Sequence, residues 1–176
     1  MVKIIVEGND DKNFFISFLN HLNIKDPFIV QMGGKIALLD PDNKHYKTLG
    51  EQIEKKKIKK VLFVFDCDFE NDDKKCGGME KSLECFENLK QVLNWNIEID
   101  VYIFDRNLDY FLVETIKDKV CYQHFDHLVQ CLDVESVKPN KKPIANLYRD
   151  LYPYPKFDFS HENFNTLKQK LQDLFS

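Results

Sequence analysis

Nine residues constrain this chain more than any others: Lys60–Asp68, KVLFVFDCD. Five apolar residues, Val61 to Phe65, stop abruptly at two carboxylates separated by one cysteine. A short run rich in β-branched and aromatic side chains, bounded by charge, predicts a strand buried on both faces. In an extended chain successive side chains alternate, so Asp66 and Asp68 are expected to face one way and Cys67 the other. Two adjacent carboxylates repel each other unless a proton or a cation lies between them. Oxygen-only donors of this kind suit Mg²⁺ or Mn²⁺.

The flanking sequence predicts similar units. Lys3–Val6 is a short apolar run that ends at Glu7-Gly8-Asn9-Asp10-Asp11. Gly8 and Asn9 permit a sharp turn, and Asp10 or Asp11 can cap a following helix. Phe14, Phe15, Phe18, Leu19 and Leu22 then recur at helical spacing. Phe28–Gln31 reads as a second strand, followed by Gly33-Gly34, a bend from which Lys35 is expected to project. Tyr46, Leu49 and Ile53 form one face of a helix that runs into the lysine cluster Lys55–Lys60. Phe69–Gly78 reads as an exposed loop, long enough to be functional or mobile. Leu83, Phe86, Leu89 and Leu93 define another helix, and Ile97–Phe104 a fourth strand ending at Asp105-Arg106-Asn107.

Strands alternating with helices predict an α/β fold with a mostly parallel, Rossmann-like sheet. Right-handed crossovers bring every strand C-terminus to one edge. Glu7, the Gly33-Gly34-Lys35 loop, Asp66, Asp68 and Asp105 are then expected to share that edge, where open α/β sheets bind their ligands. Residues 1–108 read as the α/β core. Residues 109–176 read as a helical extension packed on it, with a helix from about Lys119 to Leu132, a short one over Ile144–Leu151, and a closing amphipathic helix through Phe164, Leu167, Leu171 and Leu174.

The net charge of −4 excludes a protein coated in basic surface, though a local basic patch is enough to hold nucleic acid. The lysine cluster is most simply a solvated helix end. Cys67, Cys76, Cys85, Cys121 and Cys131 form no CxxC pair and match no zinc spacing. Reduced, mostly buried thiols are therefore expected, as in a cytoplasmic protein. No apolar stretch is long enough to span a membrane, and Met1–Val6 is too short for a signal peptide. His124 and His127 fit a core or surface role better than a ligand role.

Val6-Glu7-Gly8 after a first strand, with Asp66-Cys67-Asp68 after a later one, resembles the Toprim domain. That domain is shared by topoisomerases, bacterial primases, small RNA-maturation nucleases and overcoming-lysogenization-defect nucleases. Asp10-Asp11, Phe14-Phe15 and Gly33-Gly34-Lys35, in that order, are similar to an uncharacterised Toprim-like bacterial group. The resemblance implies a Toprim-like sheet in which Asp66 and Asp68 hold Mg²⁺ or Mn²⁺ and Glu7 is a metal ligand or general acid/base. Asp10, Asp11, Glu70, Asp105 and Glu114 are accessory candidates. Lys35, with Gly33 and Gly34, is the candidate contact for a substrate phosphate, and a catalytic candidate beside Glu7. The implied activity is a metal-dependent phosphodiesterase acting on DNA or RNA, with water as nucleophile, since no tyrosine stands out as one. The alternative is a non-catalytic module of the same fold that binds metal, nucleic acid or a protein. Receiver domains and haloacid-type phosphatases also gather carboxylates at strand ends, but they place their acid pair after the first strand.

Overall fold

The computed structural model describes residues 1–25, 28–116, 119–120, 122–124, 127, 142–151, 153 and 157–176. Its centre is a four-stranded sheet of β1 (Val2–Val6), β2 (Phe28–Gln31), β3 (Lys60–Asp66) and β4 (Glu98–Phe104), in the spatial order β2-β1-β3-β4. All three pairings are parallel. The fold is therefore α/β and Rossmann-like, as the alternation of strands and helices predicts.

Strict alternation along the two central strands explains the layers. Ile4 and Val6 of β1 and Leu62 and Val64 of β3 face one side. Ile5, Val61, Phe63 and Phe65 face the other. All of these side chains are fully buried, so both faces are covered. The first face carries α1 (Asn9–His21), α5 (Leu108–Glu114) and α7 (Asn165–Phe175). Phe14 lies at the centre of this layer, its ring within 6.4 Å of Phe15, Phe18, Phe104, Phe111, Phe159 and Phe164. The second face carries α2 (Lys35–Leu39), α3 (Lys44–Glu54) and α4 (Met79–Leu93). Leu167, Leu171 and Leu174 of the closing helix are buried among residues of β1, α1 and β3, so this helix completes a layer of the sheet. Lys170 pins it to the edge strand through Asp100 at 2.6 Å.

Two local differences from the sequence expectation have simple causes. The short helix α2 follows Gly33-Gly34 directly, where periodicity has too few residues to signal it. The buried face of α4 passes through Ser82, fully buried, while Leu83 is 41% exposed. Ser82 can be buried because its hydroxyl donates to the Cys76 carbonyl oxygen at 2.6 Å. The helix expected over Lys119–Leu132 lies largely outside the described residues, as does the segment around Pro139. Residues Lys142–Leu151 form α6, close to the helix expected over Ile144–Leu151.

Strand β1 connects leftward to β2 through α1, whereas the later connections run rightward through helices on the opposite face. The direction of winding reverses between β1 and β3. In such sheets the helices part at the reversal and leave a crevice beyond the strand C-termini. Glu7 directly follows β1, and Asp66 ends β3.

Candidate functional site

Register dictates the first contact. Val6 pairs with Val64, so the residue after β1 lies beside the last turn of the ladder on β3. The Glu7 carboxylate reaches across and its Oε1 accepts the Asp66 backbone N–H at 3.0 Å. The Glu7 carbonyl oxygen accepts from Gly33 and Gly34 on the other side, at 2.8 and 2.9 Å. Asp66 Oδ1 accepts the Leu108 N–H at the start of α5, at 3.1 Å. Asp11 is 8% exposed and closes the turn after β1 by accepting from the Gly8 N–H at 2.9 Å. The loops after β1, β2, β3 and β4 thus all meet at the reversal of the sheet.

Burial governs the electrostatics here. Loss of solvent raises Glu7 to about 7, with Asp11 and Asp68 adding to the rise and the Asp66 N–H and Lys35 opposing it. Burial, then the charges of Glu7, Asp11 and Asp68, push Asp66 up to about 9. Asp11 is raised as well, again chiefly by burial. Three carboxyl groups that resist ionisation together form an environment that a cation would relieve. They open on a cleft of about 510 Å³, to which α5 contributes Tyr110 and α6 contributes Arg149.

Asp68 stands apart from this group. The strand ends at Asp66, and Asp68 adopts a left-handed backbone with φ 56°, so the alternation expected of an extended chain does not reach it. Its Oδ2 lies 3.4 Å from Lys35 Nζ. Lys35 does not project from the glycine bend. It begins α2, is 7% exposed, and donates to the carbonyl oxygens of Cys67 at 2.8 Å and Cys76 at 2.9 Å, with Asp73 Oδ2 at 3.6 Å. The lysine therefore ties the start of the 67–78 loop to its end. Gly33 and Gly34, at φ 91° and 120°, make the bend that aims it. A methyl group at either glycine would meet nothing within 4 Å. Gly34→Ala is thus expected to cost about 1–2 kcal/mol through backbone strain alone, read as a lowered urea midpoint at unchanged m.

The same loop corrects the expectation of reduced thiols. Cys76 and Cys85 form a disulfide that joins the loop to α4. Nine residues separate them, but the loop doubles back onto the helix, which linear spacing does not show. Cys67 is free and buried, while Cys121 and Cys131 lie outside the described residues. The disulfide removes the thiol argument for a reducing compartment. Among the described residues no helix is long and apolar enough to cross a membrane. Closing so short a loop is worth about 2–3 kcal/mol by chain entropy. Cys85→Ser is expected to lower stability by that amount and to raise amide exchange within residues 69–78 more than in β3, by mass spectrometry.

The accessory candidates divide: Asp10 and Asp11 line the cleft, whereas Glu70, Asp105 and Glu114 do not. Asp10 is exposed and faces Arg149 at 3.8 Å. Glu70 sits 3.9 Å from Lys81 on the surface. Asp105 is exposed in the turn after β4, and Glu114 is exposed at the end of α5; neither lines the cleft. The lysine cluster precedes β3, at the opposite end of a seven-residue strand from Asp66, roughly 20 Å away.

Sequence reasoning missed Arg149, Tyr110 and Arg106. Arg149 Nη2 lies 3.2 Å from Asp109 Oδ1, and the side chain is 15% exposed. The Arg106 guanidinium lies 4.8 Å from the Tyr110 ring centroid and 5.8 Å from that of Phe69. A signal was present. Of 25 lysines and arginines only Arg106 and Arg149 are arginine. Comparison of the chain with protein-family models, curated proteins and solved structures returns no match to any of them.

Proposed function

We propose that the protein is a Mg²⁺- or Mn²⁺-dependent phosphodiesterase acting on nucleic acid, centred on Glu7 and Asp66. The observation that carries this reading is the convergence of the half-buried Glu7 and Asp66 carboxyl groups at the reversal of a doubly wound sheet. The resemblance to Toprim enzymes in Val6-Glu7-Gly8 and Asp66-Cys67-Asp68 agrees with it.

The donor set fits a hard cation. Glu7 Oε1 and Asp66 Oδ1 are engaged by backbone N–H groups, which orient both carboxylates and leave the second oxygen of each for a ligand. Among the described residues no three His, Cys, Asp or Glu side chains stand close enough to cage an ion. Mg²⁺ commonly uses one or two carboxylates and completes its shell with water and substrate phosphate. Bound there, a divalent cation supplies charge neutralisation at a phosphodiester and a water of lowered pKa. The Glu7 carboxyl, oriented by the Asp66 N–H, is the group to take or return a proton. Asp68, held by Lys35 in a left-handed turn, fixes the start of the loop that follows β3.

Isothermal calorimetry with Mn²⁺ tests the reading, on the wild type and on Glu7→Gln. Binding in the wild type that weakens at least tenfold in the variant, with cleavage of DNA or RNA lost in parallel, supports it. Metal binding without cleavage of either polymer favours the non-catalytic module, which the engagement of Asp68 by Lys35 would then explain.

A further inference from the structure

The chain meets nearly every need for surface cation with lysine, yet both of its arginines stand at the rim of one cleft. Arginine differs from lysine in two ways that matter there: its planar fork holds phosphate through paired donors, and its flat face stacks on rings. Each arginine here is placed for one of those uses.

Arg149 lies among the cleft residues, with Nη2 close to Asp109 and donating to Asn146 Oδ1, and Nη1 3.8 Å from the exposed Asp10. A phosphate oxygen entering beside Glu7 and Asp66 meets this guanidinium on the wall of the cleft. Arg106 sits outside, over Tyr110, whose ring also takes the edge of Phe69 at 5.7 Å. Tyr110 lines the cleft, so the stack begins where the cleft ends. Phe69 is 40% exposed and Arg106 is exposed. Both Asp68 and Arg106 adopt left-handed backbone, φ 56° and 65°, joined by an Asp68 N–H donating to the Arg106 carbonyl oxygen at 2.7 Å. Residues other than glycine hold such conformations when the surroundings over-determine them, a pattern common at ligand clamps.

We infer that the two arginines clamp one unpaired nucleotide of single-stranded nucleic acid, Arg149 taking its phosphate and the Arg106–Phe69–Tyr110 stack taking its base. The inference deepens the phosphodiesterase reading and rests on it for the position of the scissile phosphate. Bases in a duplex are already stacked on their neighbours, so this shelf serves single strands, overhangs and frayed ends. Phosphate contact without base-edge contact makes the clamp tolerant of sequence.

The test is fluorescence anisotropy of a labelled oligothymidylate, its ribose counterpart, an abasic strand and a blunt duplex, with the full chain in Ca²⁺. Arg149→Lys is expected to weaken binding of every single strand about tenfold, the abasic one included. Arg106→Lys and Phe69→Ala are expected to weaken the base-bearing strands about tenfold and leave the abasic strand unchanged. The duplex is expected to bind at least tenfold less tightly than the single strand. Three outcomes would overturn the clamp: single-strand affinities unchanged in folded variants, a duplex bound as tightly as the strand, or a wild type that binds no oligonucleotide. Mn²⁺ calorimetry on the same proteins separates the two readings. Arginine-dependent binding in a wild type that takes no Mn²⁺ sinks the phosphodiesterase and leaves the clamp standing. Arg106 and Phe69 are exposed, so their variants keep the test open if Arg149→Lys does not fold.

Discussion

Asp66→Asn is expected to abolish Mn²⁺ binding and at the same time make the metal-free protein more stable. The folded-state pKa of Asp66 is about 9, far above its unfolded value, because burial and the neighbouring acids disfavour the charge. A carboxyl raised in this way gives its full contribution to stability below the unfolded pKa of about 4, and loses it progressively as pH rises through about 9. Glu7, raised to about 7, acts in the same direction over a narrower window. In EDTA the wild type should therefore weaken steadily between about pH 4 and pH 9. Asparagine carries no charge to remove and keeps the oxygen that accepts the Leu108 N–H. Full linkage over this window would be about 5 kcal/mol at pH 8. Asp66 is only half-buried and its acidic neighbours can reorganise, so a gain of about 3 kcal/mol, or roughly 6–12 °C in Tm, is expected, shrinking toward zero near pH 4. Urea melts in EDTA at several pH values measure it. A variant no more stable than wild type at pH 8 would mean that Asp66 ionises freely and that the crevice is wetter than its burial suggests. Functional residues held against stability are the usual pattern at active sites, and a gain of this size would mark Asp66 as one.

The sheet was legible because its strands are short apolar runs that stop at charge. Lys3–Val6 and Val61–Phe65 have no other way to be buried, and the 3.6-residue spacing of the phenylalanines in α1 leaves one choice of face. The meeting of Glu7 with Asp66 was legible for the same reason, since both are the first residues beyond the apolar part of their strands. Asp68 was not, because alternation is a property of extended chain and the chain stops being extended one residue earlier. Lys35 was misjudged because a glycine pair announces a bend but not its direction. The bend turns the side chain inward, where two carbonyl oxygens and two carboxylates from the loop after β3 collect around it. The place of Tyr110 and the pairing of Arg149 with Asp109 depend on contacts between distant segments, and the disulfide on how a loop folds back onto its helix, none of which periodicity encodes. The restriction of arginine to two positions was the one compositional trace of the cleft, and it acquires meaning only once the fold brings Arg106 and Arg149 to the same edge.

Lys35→Met is expected to destabilise the protein by about 2–4 kcal/mol and to release the loop after β3. The ammonium group is the common partner of the Cys67 and Cys76 carbonyl oxygens and of the Asp68 and Asp73 carboxylates. Methionine fills the same space without a donor, so the cost is that of leaving acceptors unmatched rather than of a cavity. Ser82 still donates to the Cys76 carbonyl oxygen, the Gly78 N–H still donates to that of Cys67, and Asp68 and Asp73 can turn to water, which holds the loss below the value for a fully sealed pair. Lys35→Arg should recover only part of it, because a planar fork does not aim its donors at four acceptors converging on a point. Amide exchange should rise across residues 67–78 and stay unchanged in β1 and α1. With the disulfide intact the loop keeps one anchor, so combining Lys35→Met with Cys85→Ser should open it by more than the sum of the two single effects, as expected of anchors on one segment. The opposite pattern is equally measurable. Were Lys35 a phosphate contact, the substitution would leave the melting temperature and exchange unchanged and reduce only the affinity for an oligonucleotide. A stable, exchange-silent Lys35→Met protein with weakened strand binding would return the lysine to the substrate side of the site and leave the loop to be held by the disulfide alone.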